Sequence, residues 1–83
     1  MPKEGDLQVW WANNFGSKRV DVKNIDQAKG CLKGFGQSEV DNENIGWNAG
    51  GLEVFENGEW SEWYNENGSD IREVMEEEDE NRS

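Results

Sequence analysis

Leu52-Glu53-Val54-Phe55-Glu56-Asn57-Gly58-Glu59-Trp60-Ser61-Glu62-Trp63-Tyr64 is the stretch whose reading decides the fold. Asn-Gly is the preferred pair for a two-residue type I′ turn, because both central residues there need a positive φ. With Asn57-Gly58 as the turn, Glu56 faces Glu59, Phe55 faces Trp60, Glu53 faces Glu62 and Leu52 faces Trp63. The aromatic and apolar pairs favour this register. The two Glu–Glu pairs oppose it, since like charges directly across strands destabilise by roughly a few tenths of a kcal/mol or more. A chain selected for stability alone seldom keeps both, so these carboxylates are expected to serve a cationic partner outside the chain.

Upstream of the hairpin, Gly46 to Gly51 reads as irregular backbone, and Gln37 to Asn44, polar and acidic, reads as a loop. Before that loop Asn24 has the chemistry of a helix N-cap, with Gln27 at the capping-box position. Ile25, Ala28, Cys31, Leu32 and Phe35 then recur at helical spacing, which predicts a helix over 24–35 that Gly34 or Gly36 ends. Gly30 inside it costs about 1 kcal/mol relative to Ala. Leu7 to Trp11 reads as a strand with Leu7, Val9 and Trp11 on one face, and Lys18 to Lys23 as a half-exposed strand. Asn13 to Ser17 supplies the turn that joins them as a hairpin.

Downstream, Asn65-Glu66-Asn67-Gly68 makes a turn, and Asp70 with Glu73 makes a second N-cap and capping box. Ile71, Val74 and Met75 give a short apolar stripe, but Glu76-Glu77-Glu78-Asp79-Glu80 adds none. Acidic residues also oppose the dipole at a helix C-terminus, so the helix is expected to fray there. The sequence therefore predicts an α+β fold in the order ββαββα: two hairpins forming a small antiparallel sheet, one packed helix and a short acidic C-terminal helix. Residues 1–75 form a single domain, followed by a disordered acidic tail over 76–83.

Composition narrows the function. Eighty-three residues with 33% hydrophobic content suit one domain near the lower limit of independent stability, and with five tryptophans a few very large side chains could build a compact core. The net charge of −11 excludes direct non-specific binding to nucleic acid, whose phosphates supply most of that attraction. It favours positively charged partners instead, nucleic-acid-binding proteins foremost. The charge is unevenly placed: residues 1–36 hold six basic and four acidic groups, residues 37–83 two basic and fifteen acidic. One cysteine allows no internal disulfide, which suits a reducing cytoplasm. No apolar run approaches membrane-spanning length, and Met-Pro-Lys-Glu-Gly-Asp lacks a signal-peptide core.

The residues of common catalytic chemistry are missing. Without histidine there is no His-based dyad or triad, and one cysteine cannot build a Cys-rich zinc site. Cys31 lies on the apolar stripe and reads as a buried structural thiol. Glu53 and Glu62 could share a proton as sugar-cleaving hydrolases' paired carboxylates do, but those work in a cleft that a chain this short scarcely forms. Asp41 to Gly46 fails as a calcium loop, because Ile45 takes a ligand position and Leu52 stands where the closing Glu belongs. The glycines lack phosphate-loop spacing. No cofactor, metal or enzymatic activity is expected.

Four segments carry a resemblance: Gln8-Val9-Trp10-Trp11, Val20-Asp21-Val22-Lys23, Asn48-Ala49-Gly50-Gly51-Leu52-Glu53-Val54-Phe55 and Gly58-Glu59-Trp60-Ser61-Glu62-Trp63-Tyr64. Together they resemble a group of small acidic accessory proteins of tailed bacteriophages, some of them labelled superinfection exclusion. The likeness spans residues 7–64 in pieces and carries over no functional residue. It implies a phage gene product acting in the host cell cytoplasm, in a class that often blocks a host enzyme or defence complex, sometimes by imitating DNA.

The leading expectation is a non-catalytic inhibitor of a basic host protein that binds nucleic acid, such as a CRISPR effector, a restriction enzyme or a polymerase subunit. It acts as a monomer or homodimer, without touching nucleic acid or membrane. Glu53, Glu56, Glu59, Glu62 and Glu66, with Glu76, Glu77 and Glu78 of the acidic run, would occupy the partner's basic groove. Trp60 and Trp63 would be the aromatic anchors. The alternative is superinfection exclusion or another host interaction through an aromatic surface, with charge incidental. A weak enzyme or metal-binding module and a structural protein of the virion are the remaining classes.

Overall fold

Adjacent tryptophans on one strand must point to opposite faces, and that alternation organises the molecule. A computed structural model describes residues 1–40 and 42–80. Strand β1 (Leu7–Asn13) and strand β2 (Gly16–Val22) form the first hairpin, helix α1 (Ile25–Glu39) follows, strands β3 (Asn48–Glu56) and β4 (Glu59–Glu62) form the second hairpin, and helix α2 (Ile71–Glu80) closes the chain. The two hairpins join in one antiparallel sheet of order β2-β1-β3-β4. The fold is α+β in the expected ββαββα order.

Leu7, Val9 and Trp11 do share a face. Val9, Trp11 and Leu52 from the sheet, Ala28 and Leu32 from α1, and Ile71 from α2 make up the buried core, so both helices cover the same side. Cys31 packs against that core but is half-buried rather than buried as expected, because it sits at the margin of the stripe. The second hairpin has the expected register, with Glu53↔Glu62, Phe55↔Trp60 and Glu56↔Glu59 as partners. Its turn holds Asn57 at φ 55° and Gly58 at φ 84°, the left-handed pair a type I′ turn requires. Outside the strand, the Trp63 amide still donates to the Leu52 carbonyl at 3.0 Å.

Trp10 pairs with Gly51 and Trp11 with Gly50, which explains the adjacent glycines. A Cβ on Gly50 would lie 2.4 Å from the Trp11 ring and 3.0 Å from Leu32, and one on Gly51 would lie 2.6 Å from the Trp10 indole nitrogen. Each indole rests on a glycine, one on each face of the sheet. Asn48–Gly51, expected as irregular backbone, is therefore strand: the bare backbone is the seat for two rings.

Helix α1 does not stop at Gly34 or Gly36 but runs to Glu39, taking in residues 37–39 of the expected loop. Tertiary contacts override the glycines. Phe35 stacks on Trp11 with ring centroids 5.4 Å apart, and the Lys18 ammonium lies 4.7 Å from the Phe35 centroid. One turn later Glu39 accepts hydrogen bonds from Trp11 Nε1 at 2.7 Å and Asn13 Nδ2 at 3.1 Å. Hydrogen bonds to a charged group contribute about 1.5–3 kcal/mol each, enough to offset about 1 kcal/mol per helical glycine.

At the helix starts, the Gln27 amide donates to Asn24 Oδ1 and the Glu73 amide to Asp70 Oδ1, at 2.8 and 2.9 Å. Gln27 Oε1 reaches back to the Lys23 amide rather than to that of Asn24. Residues 76–80, expected within a disordered tail, continue α2 instead. Lys29 of α1 reaches across to Glu78 and ties that turn to the domain. The rest of the expected tail, residues 81–83, lies outside the described residues.

Candidate functional site

The strand order converts a charge asymmetry along the chain into one across the molecule. Because β2 and β1 occupy one half of the sheet and β3 and β4 the other, most charges of the basic first half and the acidic second half lie on different strands, and the halves meet in the ion pairs Arg19–Glu53 and Lys29–Glu78. Lys18 and Arg19 lie on β2 and Lys29 and Lys33 on α1, while Glu56, Glu59, Glu62, Glu73, Glu76 and Glu77 lie on β3, β4 and α2.

The residues expected to bind a partner are distributed unequally around the acidic side. Glu56, Glu59 and Glu62 are exposed at the β3–β4 hairpin, Glu66 is exposed in the turn that follows, and Glu76 and Glu77 are exposed on α2. Strand alternation sends Glu62 to the uncovered face of the sheet and Glu56 and Glu59 to the helix side. Tyr64, exposed beside them, hydrogen-bonds to Glu62 Oε2 at 3.4 Å. The Glu62 carboxylate, with smaller effects from burial, Asp70 and Glu73, raises its phenol pKa above the ordinary 10.0.

Three of the expected residues have internal duties. Glu53 accepts from Gln8 Nε2 at 2.8 Å and lies 3.5 Å from Arg19 Nε, which relieves the repulsion expected from Glu62 across the strands. Glu78 is paired with Lys29. Trp63 is half-buried and packs against the core, so it is less an anchor than a wall of the domain. The side chains of Asp79 and Glu80 lie outside the described residues.

No helix covers the opposite face of the sheet, to which β1 presents Gln8, Trp10 and Ala12 and β3 presents Gly51, Glu53 and Phe55. Trp60 packs edge-on to Phe55 at 5.4 Å and is half-buried there, as is Trp10. Trp10, Phe55 and the 55%-exposed Trp47 were not among the expected contact residues. Trp10 was legible: once Trp11 faces the core, its neighbour must face away. Trp47, just before β3, carries no periodic signal.

Among the described residues, no group of three or more His, Cys, Asp or Glu side chains could hold a metal ion, and Asp41 of the failed calcium loop lies outside them. No helix among them is long and apolar enough to cross a membrane. The arrangement is suited to electrostatic docking, with exposed carboxylates along one side and aromatic side chains on the adjoining face. In comparisons with family models, curated proteins and solved structures, the chain matches none.

Proposed function

We propose that this protein is a non-catalytic accessory protein of a tailed bacteriophage that binds and inhibits a basic host protein, itself a binder of nucleic acid, in the host cell cytoplasm. The observation that carries this reading is the concentration of exposed glutamates, Glu56, Glu59, Glu62, Glu76 and Glu77, on β3, β4 and α2. Carboxylates in that arrangement attract a cationic groove at long range and oppose binding to nucleic acid itself. The imitation of DNA belongs to this proposal as its strong form.

The test is affinity purification of the tagged chain from phage-infected cells, with the retained host protein then studied in purified form. Binding is expected to weaken steeply between about 0.05 and about 0.5 M salt, to compete with that partner's nucleic acid, and to fall in a Glu59→Gln/Glu62→Gln/Glu76→Gln/Glu77→Gln variant. Retention unchanged by salt and by the four substitutions would overturn the proposal. That outcome belongs to the second reading, a host interaction such as superinfection exclusion made through aromatic surface, which the uncovered face bearing Trp10, Phe55 and Trp60 supports.

A further inference from the structure

We propose that a pocket at one end of the uncovered sheet face receives an arginine side chain of the partner protein. The pocket has a volume of about 450 Å³, with Asp6, Gln8, Asp21 and Trp60 among its lining residues together with Met1 and Pro2. The sheet register brings Asp21 directly opposite Gln8 on the uncovered face, and Trp60 comes to the same face from β4.

Gln8 is the unusual member. It is only 7% exposed, yet its amide nitrogen is committed to Glu53 and, among the described residues, its amide oxygen has no donor. That oxygen is not sealed away, since no buried side-chain polar atom of the described residues lacks a partner. It is therefore an acceptor left open where the pocket lies. Asp21 is exposed and has no hydrogen bond or ion pair among the described residues, while Asp6 uses one carboxylate oxygen to accept from the Lys3 amide at 2.8 Å. Arg19, the cation two positions along the same face of β2, is held by Glu53.

Two carboxylates, a neutral acceptor and an indole select for a planar cation. A guanidinium has five donors in a rigid fork and stacks on an aromatic ring, whereas an ammonium is a compact point charge that holds its water more tightly. Edge-on packing against Phe55 fixes the Trp60 ring before the ligand arrives. A metal ion fits poorly, because no three ligating side chains converge among the described residues. The inference rests on the proposed function only for the source of the cation, a basic partner protein.

The experiment titrates N-acetyl-arginine amide, and separately its lysine and neutral citrulline counterparts, into the full chain while following the five indole N–H resonances. The arginine compound is expected to shift the Trp60 signal saturably in the millimolar range and to leave Trp11 and Trp63 unmoved, with lysine weaker and citrulline inert. Asp21→Asn, on an exposed edge strand, is expected to weaken binding at least about tenfold and Glu43→Gln, exposed in the turn between α1 and β3, to leave it unchanged. Trp60→Phe, followed by the Gln8 side-chain amide signals, is expected to weaken it several-fold. Absence of a saturable shift, equal binding of citrulline, or equal losses in Asp21→Asn and Glu43→Gln would overturn the inference. Because no partner is present in this assay, the pocket can fail while salt-sensitive capture of a host protein succeeds, and the reverse.

Discussion

Gly50→Ala tests the central packing idea, that one indole on each side of the sheet rests on a strand glycine. The new methyl group would meet the Trp11 ring at 2.4 Å, and ordinary contact begins at 3.4 Å, so the ring or the strand must shift by about 1 Å. Trp11 has little room to yield: it is 8% exposed, stacked on Phe35, and hydrogen-bonded to Glu39 at 2.7 Å. Overpacking a well-filled core costs about 1–3 kcal/mol, and straining the hydrogen bond to Glu39 adds to it. Gly50 does not have a positive φ, so the alanine loses nothing to backbone strain and gains about 0.4–1 kcal/mol by restricting the unfolded chain. The expected net loss is about 2–3 kcal/mol, out of a total of about 4–12 kcal/mol for a domain of 83 residues.

Gly51→Ala is the internal control. Its methyl group meets Trp10 at 2.6 Å, a clash of similar size, but that indole lies on the uncovered face and can swing toward solvent. The same chemical change there should cost no more than about 1 kcal/mol. Urea unfolding followed by circular dichroism compares the two, and the thermal midpoint of Gly50→Ala should fall by about 10–20 °C. If Gly51→Ala costs as much as Gly50→Ala, or if Gly50→Ala stays within about 0.5 kcal/mol of the parent, the reasoning is refuted.

Glu39→Ala is expected to destabilise by about 2–3 kcal/mol and to shorten α1 toward Gly36, read as lost helical ellipticity and faster amide exchange over 36–39. An unchanged helix end would show that Phe35 stacking alone carries α1 past its glycines. Tyr64, the one tyrosine in the chain, should titrate above 10.0 by phenolate absorbance, and Glu62→Gln should bring its pKa down. Since the phenol is raised in the fold, its small stabilising effect is present below the unfolded pKa and is lost as pH rises through the folded one. A titration that does not move in Glu62→Gln would remove Glu62 as the leading cause.

Local signals in the sequence were sufficient for the element order. Asn57-Gly58 determined the second hairpin and its register because a type I′ turn allows few other sequences. Asn24 and Asp70 marked both helix starts because their side chains satisfy amides that nothing else nearby can reach. The uneven charge and the inward face of β1 were likewise legible from residue order and a period of two. What only tertiary structure decided were features that depend on contacts distant in sequence. Helix α1 passes Gly34 and Gly36 because Trp11 and Lys18, far upstream, hold Phe35 and Glu39. Asn48–Gly51 is strand because Trp10 and Trp11 need bare backbone to rest on, and Glu53 is held within the chain, on the uncovered face, because Gln8 and Arg19 converge on it. The joining of the two hairpins edge to edge turned a charge bias along the chain into an acidic side and an uncovered aromatic face, since neighbouring in the sheet, not in the sequence, determines which fields add.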